Sequence, residues 1–250
     1  MKSNSGIIGP KQTSSTGSTG IASGEYGTFE QYNRIKNDSW PEVPPDTISL
    51  VYTTGSKPTW MTLRTKHATN TGFDSSGFWI NGNANSTSNS YPIITNQSFP
   101  ASLTSLTMKF VVVKNETCAD HGICIFRNGG SPTWAWGTNT SRIAMQWNCS
   151  NPNWYPATGS GTGNMSGAST NTTYYVTIVM NLATGYTSTV MRTGSFTGSV
   201  AINDARTMTG NKLDEISGWT STSTWDIGFD ADQDNTSYKS YFKNIDIEVS

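Results

Sequence analysis

The sequence predicts an all-β protein: a single two-sheet sandwich that follows an extended N-terminal arm with one short helix. Short segments with period-two alternation recur from about residue 46 onward, and Gly, Asn and Ser separate them. Aromatic residues make up 11% of the chain and charged residues only 13%, which is typical of half-buried sheets and unlike disordered chains. All 250 residues fit one arm and one domain of this class, with the boundary at 1–45 and 46–250.

The arm, residues 1–45, differs in pattern from the rest of the chain. Residues 9–20 are rich in Ser, Thr and Gly, which favours an extended, flexible chain. Aromatic and apolar residues then recur at intervals of three and predict one stripe on a short helix: Tyr26, Phe29, Tyr32 and Ile35. Trp40-Pro41 ends this helix, because the residue before a proline avoids helical backbone. A stripe this short must dock on a larger surface.

The sandwich is expected to contain many short strands. The strand at residues 173–180 is apolar on both faces, which predicts a central position. Residues 181–185 follow it and resemble a hairpin turn. The expected strands are Ile48–Thr53, Ser105–Val113, Gly122–Phe126, Arg142–Trp147, Thr173–Met180, Tyr186–Arg192, Thr224–Phe229 and Tyr241–Val249. Whether residues 46–75 join the sandwich or bridge to it stays open.

Charge and hydropathy exclude two classes of partner. The net charge is −1 and no block of Lys or Arg is present, so we expect no nucleic-acid partner and no membrane partner. No stretch approaches the ~20 apolar residues that cross a bilayer. The N-terminal sequence lacks the apolar core of a signal peptide, so we expect synthesis in a cytoplasm.

The cysteine count argues against a secreted disulfide framework. Three cysteines, Cys118, Cys124 and Cys149, leave one unpaired in any pairing. Cys118 and Cys124 are close enough in sequence to bridge a short loop, but we expect reduced thiols. The spacing matches no zinc pattern.

The second half of the chain resembles concanavalin-like and laminin-G-like jelly rolls. The residues that carry the resemblance are Thr173–Met191, which resembles their paired aromatic-aliphatic strands, and Ser141–Trp147, which fits an internal strand. Trp225–Phe229 followed by Tyr241–Val249 is similar to their closing strand pair. The resemblance covers residues 75–250 and implies a jelly-roll sandwich of lectin type. It carries no catalytic signature.

The N-terminal arm resembles the leaders of virion proteins of tailed phages. Ile7-Ile8-Gly9-Pro10 opens a Ser/Thr/Gly run, and aromatic segments follow it. Such leaders precede unrelated globular domains, which implies attachment to the particle. The residues expected to anchor this chain are Ile7, Ile8, Pro10, Tyr26, Phe29, Tyr32 and Trp40.

Concanavalin-like folds also include glycoside hydrolases, so paired carboxylates matter. Asp246 and Glu248 are two residues apart on a predicted strand and would share a face. Retaining hydrolysis needs two carboxyl groups about 5 Å apart. The E-x-D-x-x-E signature of these enzymes is absent, however. We expect both acids to face solvent, with Ile245, Ile247 and Val249 inward, and we expect no catalytic residue.

Two further clusters are candidates for ligand binding. Asp230, Asp232 and Asp234 alternate in a segment that resembles an irregular Ca²⁺ loop, since Ca²⁺ takes six to eight oxygen ligands. An acidic turn between closing strands is the favoured interpretation, with Ca²⁺ as the alternative and no other cofactor expected. Five aromatic residues also cluster at residues 134–155, where flat rings and nearby amides suit sugar binding. The expected sugar contacts are Trp154, Tyr155, Trp134 and Asn153, with Trp154-Tyr155 in an exposed loop between Pro152 and Pro156.

Together these features favour a structural or adhesive virion protein. We expect a short tail fibre or appendage, anchored through its arm, whose lectin-like sandwich contacts a host glycan. A capsid-decorating protein of the phage head is the alternative, and a carbohydrate-active enzyme is the third hypothesis. The expected partners are other virion proteins and further copies of the chain, with a trimer favoured. Host, glycan and symmetry are not encoded in any pattern we identified.

Overall fold

The computed structural model describes most of the sandwich. It covers residues 47–63, 69–81, 93–114, 120–127, 142–147, 152–155, 169, 171–207, 220, 223–232 and 239–250. At 114, 120–121, 142–147, 152–155, 204, 206–207 and 230–232 the description is of the main chain alone. Thr47–Ser250 form one compact unit. The expected helix of the arm lies outside the described residues.

The described residues form fifteen β-strands. They contain no helix long and apolar enough to cross a lipid bilayer. The strands are β1 Ile48–Tyr52, β2 Met61–Leu63, β3 Thr71–Asp74, β4 Gly77–Asn81, β5 Ile93–Thr95, β6 Phe99–Pro100, β7 Ser105–Lys114, β8 Asp120–Arg127, β9 Arg142–Trp147, β10 Pro152–Tyr155, β11 Thr172–Asn181, β12 Tyr186–Thr193, β13 Ser199–Thr207, β14 Thr224–Asp232 and β15 Lys239–Val249.

Eight strands form the first antiparallel sheet, in the order β13-β12-β11-β7-β15-β4-β3. The first strand, β1, pairs with the second half of β15, while β4 pairs with its first half. Residues 48–52 therefore belong to the sandwich. Between these two partners β15 bulges, since its register with β7 shifts between Lys243 and Asp246. Asn244 adopts a positive φ of 49° in the bulge, a conformation that asparagine tolerates well.

Seven strands form the second antiparallel sheet, in the order β10-β9-β8-β14-β5-β2, with β6 paired to β14. The strand β14 is central because β8 lies on one side of it and the short strands β5 and β6 share the other. Trp225 of β14 is fully buried, and its indole N–H donates to the carbonyl oxygens of Pro100 and Leu103, both at 3.2 Å. This bond satisfies the polar tip of a ring that packs 4.5 Å from Phe99.

The hydrophobic core lies between the two sheets, and strand alternation supplies it. On β11 the even-numbered residues from Tyr174 to Met180 are buried, whereas Val179 on the other face is 39% exposed. On β15 the bulge shifts the alternation by one residue, so that Phe242 before it and Ile245 and Ile247 after it all face the core. Stacked and edge-on aromatic rings fill the centre, with Phe78 and Phe242 4.8 Å apart and nearly parallel.

The hairpin between β11 and β12 shows how local sequence determines local structure. The side-chain oxygen of Asn181 accepts hydrogen bonds from the main-chain N–H groups of Ala183 and Thr184, at 3.1 and 3.0 Å. Gly185 closes the turn with a φ of 78°, which glycine adopts without steric cost. The predicted turn at 181–185 is therefore confirmed.

The predicted fold class is confirmed, with additions. Each of the eight expected strands is present, and its bounds differ from the predicted ones by at most three residues. Seven strands were not predicted: β2, β3, β4, β5, β6, β10 and β13. Cys124 is buried. Cys118 and Cys149 lie outside the described residues, so the reduced state of the three cysteines stays a prediction.

Candidate functional site

The outer face of the seven-stranded sheet collects two of the segments singled out in the sequence. Paired residues of an antiparallel ladder face the same side of a sheet. One row across this sheet runs through Asn153, Gln146, Gly122 and Asp230, from β10 to β14. At about 4.8 Å per strand, the three steps of this row span roughly 14 Å. The predicted sugar residue Asn153 and the acidic residue Asp230 therefore lie at the same level of one face.

Tyr155 belongs to the next row of the same face. It pairs with Ala144, which pairs with Cys124, which pairs with Gly228. Gly122, Cys124 and Gly228, which lie in the middle of these two rows, are buried.

Trp154 belongs to the opposite face. It pairs with Met145, which pairs with Ile123, and Ile123 is part of the core between the sheets. The expectation that Trp154 and Tyr155 lie together in a loop differs from the structure, because β10 is a strand and adjacent strand residues face opposite sides. Whether either residue contacts sugar stays a prediction. Trp134 lies outside the described residues.

The acidic segment also differs from the expected turn. Asp230 and Asp232 are the final residues of β14, and they pair with Gly122 and Asp120 of β8. Asp234 lies outside the described residues. Within the described part of the chain, no group of three His, Cys, Asp or Glu side chains is placed to hold a metal ion. Calcium binding by the three aspartates stays a prediction.

A buried patch on the same outer face was not predicted. Cys124, Phe126 and Asp226 are 1%, 2% and 5% exposed, and none of them belongs to the core between the sheets. Phe126 and Asp226 are direct cross-strand partners. The Ser98 hydroxyl donates to a carboxylate oxygen of Asp226 at 3.1 Å. The middle of this face is therefore closed to solvent.

Burial gives Asp226 unusual electrostatics. The pKa of its carboxyl group is raised from 3.8 to about 6, mainly because burial desolvates the charged form. The hydrogen bond from Ser98 lowers the pKa by a smaller amount. The group therefore changes charge just below neutral pH. A single signal in the sequence points to it: Asp226 is the one acid inside the apolar run Trp225–Phe229.

The paired carboxylates of β15 occupy the positions expected of them. Asp246 and Glu248 are exposed on the outer face of the eight-stranded sheet, and Ile245, Ile247 and Val249 are buried. Cross-strand partners of the two acids are Lys109 and a threonine of β7. This places them on the opposite side of the sandwich from the segment at 152–155.

The anchoring residues expected in the arm lie outside the described residues. Their role in attachment stays a prediction. They are Ile7, Ile8, Pro10, Tyr26, Phe29, Tyr32 and Trp40.

Several solved structures that are similar to this chain are lectins or lectin-like proteins. Arcelin-5, a lectin-like defense protein from Phaseolus vulgaris, matches with a TM-score of 0.58 at 9% identity. Lectin I from Ulex europaeus, in complex with the methyl glycoside of α-L-fucose, matches with 0.58 at 9%, and peanut lectin with a nine-residue peptide matches with 0.59 at 9%. In each case the match covers 82% of this chain and 98% of the other.

These likenesses define the fold as a legume-lectin-like sandwich and confirm the predicted concanavalin-like class. No family model matches the chain. No curated protein matches its sequence.

Proposed function

We propose that this chain is a non-enzymatic carbohydrate-binding protein whose sugar site lies at the β9–β10 edge of the seven-stranded sheet. One observation supports the proposal: in the strand register Asn153 pairs with Gln146 and Tyr155 pairs with Ala144, in the same cross-strand rows as Gly122 and Cys124 of β8. Amide groups can both donate to and accept from sugar hydroxyls, and an aromatic ring packs against the C–H face of a sugar. The lectin-like architecture supports the same class of ligand.

A glycan array probed with the full-length chain tests this proposal. We expect binding to a restricted set of glycans that Tyr155→Ala abolishes and Asn153→Ala weakens about tenfold, the loss of roughly one hydrogen-bonded contact. The matched control is Trp154→Phe, one residue away but on the core face, which should keep the binding. Binding that survives Tyr155→Ala and is lost in Trp154→Phe would contradict the register argument.

We further propose that the glycan-binding module serves a tailed-phage particle, as a short tail fibre or appendage. The resemblance of the arm to virion leaders supports this role, and a decorating protein of the head is the alternative. Immunogold labelling of intact particles from the source virus, with an antibody against residues 47–250, distinguishes them. Gold on tail appendages supports the adhesive role, gold over the head supports decoration, and unlabelled particles contradict both.

Association of the chain is part of the same proposal. The aromatic stripe expected at Tyr26, Phe29 and Tyr32 needs a partner surface, and a trimer would supply one. Multi-angle light scattering of the full-length chain should give three times the monomer mass. A monomer would contradict self-association through the arm.

The absence of catalysis is tested separately. Asp246 and Glu248 are two residues apart on β15, and both are exposed on the outer face of the eight-stranded sheet. We expect no release of reducing ends from any glycan bound on the array. Release that disappears in both Asp246→Asn and Glu248→Gln would make the chain a hydrolase.

A further inference from the structure

A cleft of about 380 Å³ opens on the outer face of the eight-stranded sheet, on the opposite side of the sandwich from β10. Its volume is within the range of small-molecule sites. Three strands and one turn contribute to it. The side chains that matter for its chemistry are Val51, Thr53, Lys109, Phe196, Asn244 and Asp246.

The bulge of β15 creates the floor of this cleft. At Asn244 the strand leaves the β7 ladder, and its main-chain N–H donates instead to the carbonyl oxygen of Thr53 at 3.0 Å. The ladder resumes at Asp246, which pairs with Lys109 on one side and Val51 on the other. The bulge thus opens a gap in the sheet surface and aligns charged and apolar side chains beside it.

Phe196 forms the wall of the cleft and is held in place. It belongs to the turn between β12 and β13, and its ring meets that of Tyr175 edge-on at 5.2 Å. The guanidinium of Arg192 donates to the carbonyl oxygen of Gly198 at 2.8 Å and ties the turn to the sheet. The ring is therefore positioned before any ligand arrives.

Two opposite charges stand side by side in the cleft without pairing. Lys109 and Asp246 are direct cross-strand partners, and both are exposed. Among the described residues, neither side chain makes a hydrogen bond or an ion pair. Their donor and acceptor capacity is available to a ligand.

We propose that this cleft is a second carbohydrate site, which takes one neutral hexopyranose ring; the inference rests on the proposed function. A hydroxyl group donates and accepts at once, so vicinal hydroxyls can donate to the Asp246 carboxylate and accept from the Lys109 ammonium while the ligand stays uncharged. The Asn244 amide offers a further donor and acceptor. Phe196 and Val51 supply the apolar surface for the C–H face of the ring.

Two sites on opposite outer faces would let a single domain bridge two glycans. Each site can be weak on its own, since linked contacts raise the overall avidity by mass action without any new contact. This arrangement suits adhesion to a surface that carries many copies of one sugar. Each sheet would then carry one of the two sugar sites on its outer face.

Titration of the ¹⁵N-labelled full-length chain, followed by TROSY spectra, tests the inference. The probes are the methyl glycosides of glucose, galactose, mannose and N-acetylglucosamine, with norleucine as a zwitterionic comparison. We expect at least one glycoside to shift amide signals at residues 51–53, 194–198 and 244–246, with a millimolar dissociation constant. Asp246→Ala and Lys109→Ala should each weaken this binding about tenfold. Glu248→Ala, an exposed acid two residues along the same face, should leave it unchanged.

The other outcomes overturn the inference in distinguishable ways. Amide signals that shift only in β8, β9, β10 and β14 would support the proposed function and contradict the second site. Shifts at the cleft with norleucine and with no glycoside would make it a site for amino acids. No shift at the cleft with any probe would also overturn it, whatever the glycan array shows.

Discussion

Replacing Asp226 by asparagine is expected to stabilise the protein at neutral pH and to leave its stability unchanged near pH 3. In the folded chain burial raises the pKa of Asp226 to about 6, compared with 3.8 for an unperturbed group. Below pH 3.8 the carboxyl group is protonated in the folded and the unfolded chain, so it contributes no difference. As the pH rises through 6, the folded chain must ionise a buried group, and stability is lost.

The size of this effect follows from the shift. About two pKa units at 1.36 kcal/mol each correspond to roughly 3 kcal/mol, and relaxation of the site reduces this to about 2 kcal/mol. Asparagine is close in size and keeps a side-chain oxygen that can accept the hydrogen bond from Ser98. For a domain of this size, 2 kcal/mol raises the melting temperature by about 4–8 °C.

Thermal unfolding of both proteins from pH 3 to pH 8 measures the difference. The melting temperature of Asp226→Asn should rise above that of the wild type between pH 4 and pH 7. Glu248→Gln removes an exposed carboxylate and serves as the matched control, with no such rise expected. Two results would refute the argument from burial. One is equal melting temperatures of the wild type and Asp226→Asn at pH 7, and the other is a difference in melting temperature that grows toward low pH.

Two further perturbations test the packing. Trp225→Phe removes an indole N–H that donates to two main-chain carbonyls, and it should lower the free energy of unfolding by about 2 kcal/mol. An unchanged midpoint in urea unfolding would show that this hydrogen bond contributes nothing. Gly77→Ala should cost about 3 kcal/mol or more, because φ is 133° and the new Cβ would lie 2.4 Å from the carbonyl oxygen of Phe242. At Gly55, also at positive φ but with nothing within 4 Å, alanine should cost about 1 kcal/mol, and equal losses at the two glycines would contradict the steric argument.

The long strands could be predicted from the sequence because each has one face in the core. The even-numbered residues are buried from Leu106 to Val112 in β7 and from Tyr174 to Met180 in β11, and this alternation is visible without any structure. The short strands β5 and β6 have three and two residues, too few for a period to appear. Their pairing with β14 determines them, and pairing is a tertiary property.

The strand β13 could not be predicted from the sequence for a different reason. It is nine residues long, but it lies at the edge of its sheet and pairs with β12 alone. Of its hydrophobic residues only Ile202 is buried, while Val200 is 49% exposed. An edge strand with a single core contact has too little apolar alternation to be recognised.

The sequence indicates which residue types could bind a sugar, but it does not give their arrangement on the strands. The aromatic and amide residues near 153–155 were identified because flat rings and amides suit sugars. Their faces follow from the register of β10 on β9, which separates Tyr155 from Trp154. The cleft on the other sheet depends on the bulge at Asn244 and on a turn about fifty residues away in sequence, and no local pattern connects the two.

Hydrogen–deuterium exchange of the full-length chain, with and without a glycan selected on the array, tests the central claim most directly. A sugar bound at the β9–β10 edge should slow exchange in peptides that cover 142–147 and 152–155, and this protection should be absent in Tyr155→Ala. Unchanged exchange in both strands at a saturating glycan concentration would contradict a sugar site on this face of the sandwich.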